Sequence, residues 1–265
     1  MGRKKHTFAI CAYKESEYLE ECICSLINQS EESQTIIVTS TPNDFITSLA
    51  KKYDLPLFVN KGKSGITEDW NFAYKSATTN YVTIAHQDDL YFSKYAFEAI
   101  HYLNKYPNTL IYFTDYAEVR NGAYIYNNSL LRIKKLMLSP LKIKFLGNSK
   151  FVRRRILSLG CPICCPSVTF VKANLPEEVF VSGFRSDEDW EAWEKLSRLS
   201  GRFGYNPQPL MGHRIHEGSE TSAIINDNVR NKEDLQMFRK FWPKPIAQFI
   251  ANLYAKSEKS NDLNE

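Results

Sequence analysis

Short apolar runs alternate with amphipathic stretches along the first half of the chain. The runs are rich in β-branched residues and predict buried strands, and apolar residues spaced three and four positions apart predict helices between them. The predicted strands are 7–12, 35–39, 57–60, 81–85 and 110–113. The predicted helices are 16–28, 45–53, 66–77 and 93–106, and Ser16 is a candidate N-cap of the first.

This alternation predicts an α/β fold. Strands joined by helices form right-handed crossovers and a largely parallel sheet with helices on both faces. Ligands of such sheets bind beyond the carboxyl ends of the strands. Three polar segments follow predicted strands there, Tyr13-Lys14-Glu15, Ser40-Thr41-Pro42 and His86-Gln87-Asp88-Asp89. We expect these three segments to meet in one crevice.

The second half of the chain is less regular. Helices are predicted at 187–199, 229–241 and 246–254, with short strands between 202 and 215. The pattern suggests a main domain over 1–222, a helical extension over 223–256 and a polar, disordered tail over 257–265.

A long stretch without acidic residues separates Glu118 from Glu177. Within it, basic residues accumulate at Arg132, Lys134, Lys135, Lys142, Lys144, Lys150, Arg153, Arg154 and Arg155. Apolar residues interleave with them, so 132–155 could lie on an anionic membrane as an amphipathic segment. The other interpretation is the solvated face of a helical insert at about 130–158, and both stay open. Ser139-Pro140 predicts a break in any long helix here.

Composition narrows the class of protein. The 265 residues carry a net charge of +4, which an anionic small-molecule substrate explains as well as nucleic acid does, and we expect no nucleic-acid partner. We find neither a signal peptide nor a run of about 18 apolar residues, so we expect the chain to act in the cytoplasm. Cys161-x-x-Cys164 lacks a second pair for zinc, and we expect the six cysteines to be structural.

Adjacent carboxylates at Asp88 and Asp89 indicate a metal site. Two such charges repel each other and raise each other's pKa unless a cation lies between them. Hard oxygen ligands suit Mg²⁺ or Mn²⁺, which would bridge the protein to a diphosphate. The alternative is a capping role, because aspartate is common after strands and at helix starts.

Two further motifs carry groups able to do chemistry. Glu188-Asp189 opens a predicted helix beside tryptophans, where a carboxylate could accept a proton from a hydroxyl, although acids also simply favour helix N-termini. His213-Arg214-Ile215-His216 follows, in which imidazole is a metal ligand and Arg214 suits a diphosphate. A structural histidine is the alternative there.

The order of these pieces resembles the family 2 glycosyltransferases of the GT-A fold over about residues 6–220. The matching pieces are Ala12-Tyr13-Lys14-Glu15, His86-Gln87-Asp88-Asp89 at the DxD position, Glu188-Asp189 with Trp193, and Arg214-Ile215-His216 followed by Ser219. The resemblance implies a mixed, mostly parallel Rossmann-like sheet with a C-terminal helical extension. It also implies an inverting transfer of sugar from a nucleotide-diphosphate donor, a UDP-sugar by expectation, to a hydroxyl of a glycan, glycoprotein or lipid-linked saccharide.

The resemblance also implies roles for individual residues. The nucleotide-sugar site would include Ala12, Tyr13, Glu15, Thr39, Ser40, Asn71, His86, Asp88 and Arg214. Asp89 would be the principal ligand of Mn²⁺ or Mg²⁺, with Asp88 and His216 completing the site. Asp189 would be the general base, and Glu188 would assist acceptor binding.

The sequence departs from the family pattern in three places. Thr39-Ser40-Thr41 stands where many relatives have two acids that meet the nucleobase, His86 replaces the first acid of the DxD pattern, and Asp69-Trp70-Asn71 stands where relatives often have Arg-Asn. Two other functions stay open. A sugar nucleotidyltransferase is disfavoured because no glycine follows the first strand, and a catalytically degenerate binding module would retain the fold without the chemistry.

Overall fold

The computed structural model describes residues 4–181, 183–216 and 229–262. Its strands are β1 (His6–Ala12), β2 (Gln34–Thr39), β3 (Leu57–Val59), β4 (Tyr81–His86), β5 (Leu90–Tyr91), β6 (Thr109–Arg120), β7 (Ala123–Ile125), β8 (Val168–Val171) and β9 (Arg202–Arg214). Its helices are α1 (Leu19–Ile27), α2 (Asp44–Lys52), α3 (Ile66–Ser76), α4 (Tyr95–Lys105), α5 (Ser129–Leu138), α6 (Lys150–Leu157), α7 (Glu188–Ser197), α8 (Val229–Arg239) and α9 (Lys244–Asp262).

One mixed sheet organises the chain, in the order β3-β2-β1-β4-β8-β6-β9-β5, with β7 paired to β6. Strands β1 to β4 form the parallel part, and β8 lies antiparallel between β4 and β6. The long strand β9 runs parallel to β6 and antiparallel to β5. The predicted α/β fold with a mixed sheet is confirmed.

Helices cover both faces of the sheet, as the pattern predicted. Side chains alternate along a strand, so Phe8 and Ile10 of β1 pack with α1, α2 and α4, while Ala9 packs on the opposite face with α3 and α7. Trp190 and Trp193 of α7 are fully buried there. Helices α8 and α9 complete that face.

Three local predictions differ from the structure. Helix α1 begins at Leu19, because the Ser16 carbonyl accepts the Leu19 N–H in a preceding turn, and Ser16 is not the N-cap. The short strands expected after 202 are one strand with bulges where it pairs with β6 around Asp115. Helix α9 continues to Asp262, so the disordered tail predicted over 257–265 is wrong up to that residue. Lysine, glutamate and serine there are compatible with a helix.

The basic segment folds as two helices rather than one. Helix α5 ends at Leu138, and two 3₁₀ turns over Ser139–Lys142 and Lys144–Asn148 lead into α6, which confirms the predicted break. Arg153 is fully buried and donates to the Leu199 and Gly201 carbonyls. Across the described ranges, no helix combines the length and apolarity that a bilayer crossing needs.

Candidate active site

The loops after β1, β2 and β4 meet at the carboxyl ends of the parallel strands. The Tyr13 N–H donates to Gln87 Oε1 at 2.9 Å, and Gln87 Nε2 donates back to the Tyr13 carbonyl at 3.1 Å. The Lys14 N–H donates to Thr41 Oγ1 at 2.6 Å. The three polar loops therefore meet as predicted, and Ala12 beside them is buried. Glu15 is exposed.

An acid from α3 reaches the loop after β2. Asp69 accepts a hydrogen bond from Ser40 Oγ at 2.6 Å and another from Asn60 Nδ2 at 2.8 Å. Thr39 is buried, and its hydroxyl accepts the Thr41 N–H at 3.0 Å. The carboxylate that the sequence lacks directly after β2 thus arrives from a helix. In the sequence, Asp69 stands out only as a departure from the family pattern.

Asn71 does not face the crevice as predicted. Its Nδ2 donates to the Phe180 carbonyl at 2.8 Å, and its Oδ1 accepts the N–H groups of Val179 and Phe180. These bonds use the amide on both sides, so Asn71 holds the segment after β8.

Asp89 is the innermost carboxylate of the site, with no exposed surface. Its Oδ1 accepts the Arg214 N–H at 2.9 Å and lies 3.0 Å from His213 Nδ1. Its Oδ2 has no hydrogen-bond partner and lies 3.9 Å from His86 Nδ1. The His86 ring stacks on Trp70, with the ring centroids 5.2 Å apart. A buried carboxylate oxygen without a partner calls for an ion or a water.

Asp88 is more accessible, with 21% of its side chain exposed, and its Oδ2 lies 3.0 Å from His216 Nε2. Burial raises the pKa of Asp88, but electrostatic interaction with His86 and the hydrogen bond to His216 together outweigh it, so the pKa lies below its usual value. The sequence ranked Asp89 as the principal metal ligand, whereas exposure ranks Asp88 and His216 first. Ser219, from the same motif, lies outside the described residues.

Histidine 213 joins this cluster through Asp89. Burial lowers the pKa of His213. The negative charge of Asp89 and the hydrogen bond between His213 and Asp89 raise it by more than burial lowers it, so the pKa lies above its usual value. The opposite holds for His86, where burial is the dominant cause and lowers the pKa. The site therefore holds one imidazole that favours the protonated form and one that favours the neutral form.

Arg214 is bound within the protein rather than open to a diphosphate. Its Nε donates to the Asp88 carbonyl at 2.9 Å, one terminal nitrogen lies 2.6 Å from Glu21 Oε2, and the guanidinium lies over the Tyr18 ring at 4.3 Å. These contacts use the planar donor array of arginine to fix the Asp88–Asp89 turn. The predicted contact of Arg214 with a diphosphate stays a prediction.

The other half of the site is the start of α7. Asp189 is partly exposed, whereas Glu188 beside it is buried. Cys161 Sγ donates to Asp189 Oδ2 at 3.7 Å, and the Trp190 N–H donates to its Oδ1. Burial raises the pKa of Asp189 above its usual value. Exposure therefore favours Asp189 over Glu188 for contact with a substrate.

Glu233 of α8 holds the loop that leads into α7. Its carboxylate accepts the N–H groups of Arg185 and Ser186 at 3.0 and 2.8 Å and the Ser186 hydroxyl at 2.7 Å. The helical extension therefore positions Asp189, although the sequence analysis assigned it no part in the site.

A single loop over 161–167 connects the two halves of the site. At one end Cys161 contacts Asp189, and near the other end Tyr91, two residues after Asp89, donates its hydroxyl to the Pro166 carbonyl at 2.7 Å. Burial raises the pKa of Cys161 and Cys164, so both thiols stay protonated and unreactive. This agrees with a structural role for the cysteines, and the loop contacts both halves of the site.

Lys134 of α5 also points into this region. Its Nζ lies 3.0 Å from the Tyr116 hydroxyl, and the Tyr116 and His213 rings are 6.0 Å apart. No carboxylate of the described residues lies within ion-pair distance of it. The sequence analysis counted Lys134 as one more surface base. Its position, between Leu131 and Leu138 on the buried face of α5, was the available signal.

The cluster supplies only part of a ligand set for a divalent cation. Among the described residues, no three histidine, cysteine or acidic side chains form a complete ligand set. Mg²⁺ and its analogues are commonly held by one or two carboxylates together with substrate phosphates. Asp88, His216 and the unpartnered Asp89 oxygen supply such a partial set, so the residues fit a cation completed by a diphosphate.

A family model matches more than half of the chain. The model described as Glycosyl transferase family 2 matches residues 7–180, which is more than half of the chain. The chain therefore belongs to glycosyl transferase family 2. A sequence relative from Haemophilus influenzae, described as an uncharacterized glycosyltransferase, is 23% identical over 231 residues, which cover 82% of this chain and 67% of the relative.

Solved structures show the same GT-A fold. The chain is similar to S. aureus TarS 1-349 in complex with UDP-GlcNAc, with a TM-score of 0.64 and 18% identity over 93% of this chain and 70% of the TarS 1-349 chain. It is also similar to the mannosyltransferase PcManGT from Pyrobaculum calidifontis in complex with GDP-Man and Mn²⁺. That match has a TM-score of 0.58 and 17% identity, over 96% of this chain and 70% of PcManGT.

Proposed function

We propose that this family 2 glycosyltransferase moves a sugar from a UDP-sugar to a hydroxyl of a glycan, glycoprotein or lipid-linked saccharide, with inversion and with a divalent cation. One observation carries the proposal. The loop over 161–167 contacts Asp189 on one side and Tyr91, next to the Asp88–Asp89 cluster, on the other. The carboxylate proposed for the acceptor and the cluster proposed for the donor thus flank the same loop.

The residues of this chain divide the reaction between them. Asp189 takes the proton of the acceptor hydroxyl, and the acceptor oxygen then attacks the anomeric carbon. The bond from that carbon to the diphosphate oxygen breaks, and the nucleoside diphosphate leaves with the electron pair. Attack from the face opposite to the leaving group inverts the anomeric centre.

The donor side of the cleft binds and orients the leaving group. Asp88 and His216 would hold Mn²⁺ or Mg²⁺, together with the buried oxygen of Asp89, and the cation would neutralise charge on the diphosphate. Arg214 keeps the Asp88–Asp89 turn in place for this. Support for a metal comes from the unpartnered Asp89 oxygen and from the Mn²⁺ in the similar PcManGT complex.

The nucleotide would lie over the loops after β1 and β2. Tyr13 is half exposed at the edge of the crevice, and Asp69 with Ser40 and Asn60 forms a polar cluster beside it. We propose that this cluster takes the place of the acids that relatives carry after the second strand. The UDP preference is supported by the UDP-GlcNAc bound in the similar TarS structure.

A donor panel tests the proposed function. UDP-, GDP- and dTDP-sugars are added separately, with and without Mn²⁺, and the melting temperature is measured. A ligand that binds only the folded state raises the melting temperature. We expect a UDP-sugar to do so, and only with Mn²⁺. A shift by GDP- or dTDP-sugars alone would contradict the UDP assignment, and no shift with any donor would contradict the donor site.

The pH dependence of transfer should report the environment of Asp189. The groups that act on its carboxylate are Lys134 of α5, Cys161, Arg230 of α8 and Asp187. Burial raises the pKa of Asp189, and the Lys134 ammonium lowers it. Because transfer needs the unprotonated carboxylate, activity falls as the pH drops through this pKa. Lys134→Met should therefore move the acidic limb of kcat/KM to higher pH.

Two variants serve as controls for this profile. Lys134→Arg keeps the positive charge, so its acidic limb should stay near that of the wild type. Lys135→Met makes the same change at the next residue, where the ammonium donates to the Tyr126 carbonyl instead. An unchanged limb in Lys134→Met, or the same displacement in Lys135→Met, would show that Lys134 does not act on the base.

A further inference from the structure

The segment from α5 to α6 exposes an unusual amount of apolar surface. The exposed side chains, with their exposed fractions, are Ile133 (51%), Leu136 (72%), Ile143 (52%), Phe145 (70%) and Phe151 (69%). A surface helix normally turns polar residues outward, whereas α5 is apolar on its buried face and on its exposed face. Clustered exposed apolar side chains mark a surface that meets another apolar phase or partner.

The same segment has only positive charges. No acidic residue lies between Glu118 and Glu177. Four of its bases have partners within the protein. Lys134 binds the Tyr116 hydroxyl, and Lys135 binds the Tyr126 carbonyl. Arg153 binds two backbone carbonyls, and Arg154 pairs with Glu194. The bases that remain exposed are Arg132, Lys142, Lys144, Lys150 and Arg155. They lie on the same consecutive elements as the exposed apolar side chains.

We infer that this basic–apolar face, residues 132–155, docks on an anionic membrane surface. Charge complementarity selects the occupant. A protein partner with an apolar patch would not require a stretch free of acids, and nucleic acid would not require exposed leucine and phenylalanine. An anionic bilayer offers an apolar layer beneath negative phosphates, and long basic side chains can reach those phosphates beside inserted apolar ones.

Cosedimentation with vesicles tests this inference on the full chain. The probes are phosphatidylcholine vesicles with and without phosphatidylglycerol, at low and at high salt. We expect binding only with phosphatidylglycerol, weakened by salt. The double variant Lys144→Glu and Lys150→Glu should reduce that binding at least about tenfold. The triple variant Leu136→Ser, Phe145→Ser and Phe151→Ser should reduce it as well, because it removes the inserted side chains.

The matched control is the triple variant Ile27→Ser, Phe58→Ser and Phe97→Ser, which removes exposed apolar side chains elsewhere and should bind vesicles like the wild type. Both triple variants should release nucleoside diphosphate from a soluble donor at the wild-type rate, which separates this inference from the proposed function. Equal loss of vesicle binding in the two triple variants would overturn it. The inference would also be overturned if the wild type did not bind vesicles and instead formed a dimer, measured by light scattering, that Leu136→Ser dissociates.

Discussion

Asp189→Asn should slow sugar transfer about 100- to 10,000-fold and leave donor binding nearly unchanged. The amide keeps the shape of the side chain but cannot take the proton of the acceptor hydroxyl. Asp189 lies across the loop over 161–167 from the donor-side carboxylates, so the donor should not sense the change. Transfer is measured by product formation with saturating donor, and binding by calorimetry on the same preparation.

Asp44→Asn is the matched control for this substitution. Asp44 is an exposed acid in the first turn of α2, as Asp189 is in the first turn of α7, so it reproduces the loss of a helix-start charge without the chemistry. The control should transfer sugar at the wild-type rate. If Asp189→Asn weakened donor binding as strongly as it weakened transfer, the assignment of Asp189 as the base would be wrong.

Asp88→Asn should reduce metal-dependent transfer at least about 100-fold and should weaken donor binding as well. Asp88 is the accessible carboxylate of the cluster, and its Oδ2 lies next to His216. A neutral amide is a poorer ligand for Mn²⁺ or Mg²⁺, so the diphosphate would lose its bridge to the protein. Calorimetry of the donor, with the Mn²⁺ concentration varied, measures both effects.

Asp54→Asn controls for the exchange of aspartate for asparagine in a turn. Asp54 is exposed and has a positive φ of 50°, a conformation that asparagine adopts readily. Its donor affinity should match that of the wild type. Donor binding by Asp88→Asn that still required Mn²⁺ at the wild-type concentration would exclude Asp88 as a ligand.

Local patterns predicted those parts of the site that follow directly from strands. The loops after β1, β2 and β4 had to converge, because the carboxyl ends of parallel neighbours lie at one edge of a sheet. The place of Asp88 and Asp89 after a buried run was visible for the same reason. The short strands β5 and β8 could not be predicted, because their two and four residues show no clear periodicity and distant partners set their pairing.

The accessibility of the two aspartates could not be predicted from the sequence. Asp89 is buried because β9 pairs with β5 and brings His213 and the Arg214 N–H onto its carboxylate from more than a hundred residues away. Arg214 and Asn71 also make contacts with residues far away in the sequence, Arg214 with Glu21 and Asn71 with Phe180. The position of Lys134, by contrast, could be predicted from the sequence, because helical periodicity places it on the same face of α5 as Leu131 and Leu138.

Release of nucleoside diphosphate from the donor that stabilises the protein tests the central claim most directly. We expect the wild type to release it with Mn²⁺ and an acceptor, to stop when the metal is chelated, and to resume when Mn²⁺ is restored. Asp88→Asn and Asp189→Asn should each release far less. A wild type that binds the donor but never releases the diphosphate, or a rate that neither substitution changes, would contradict it.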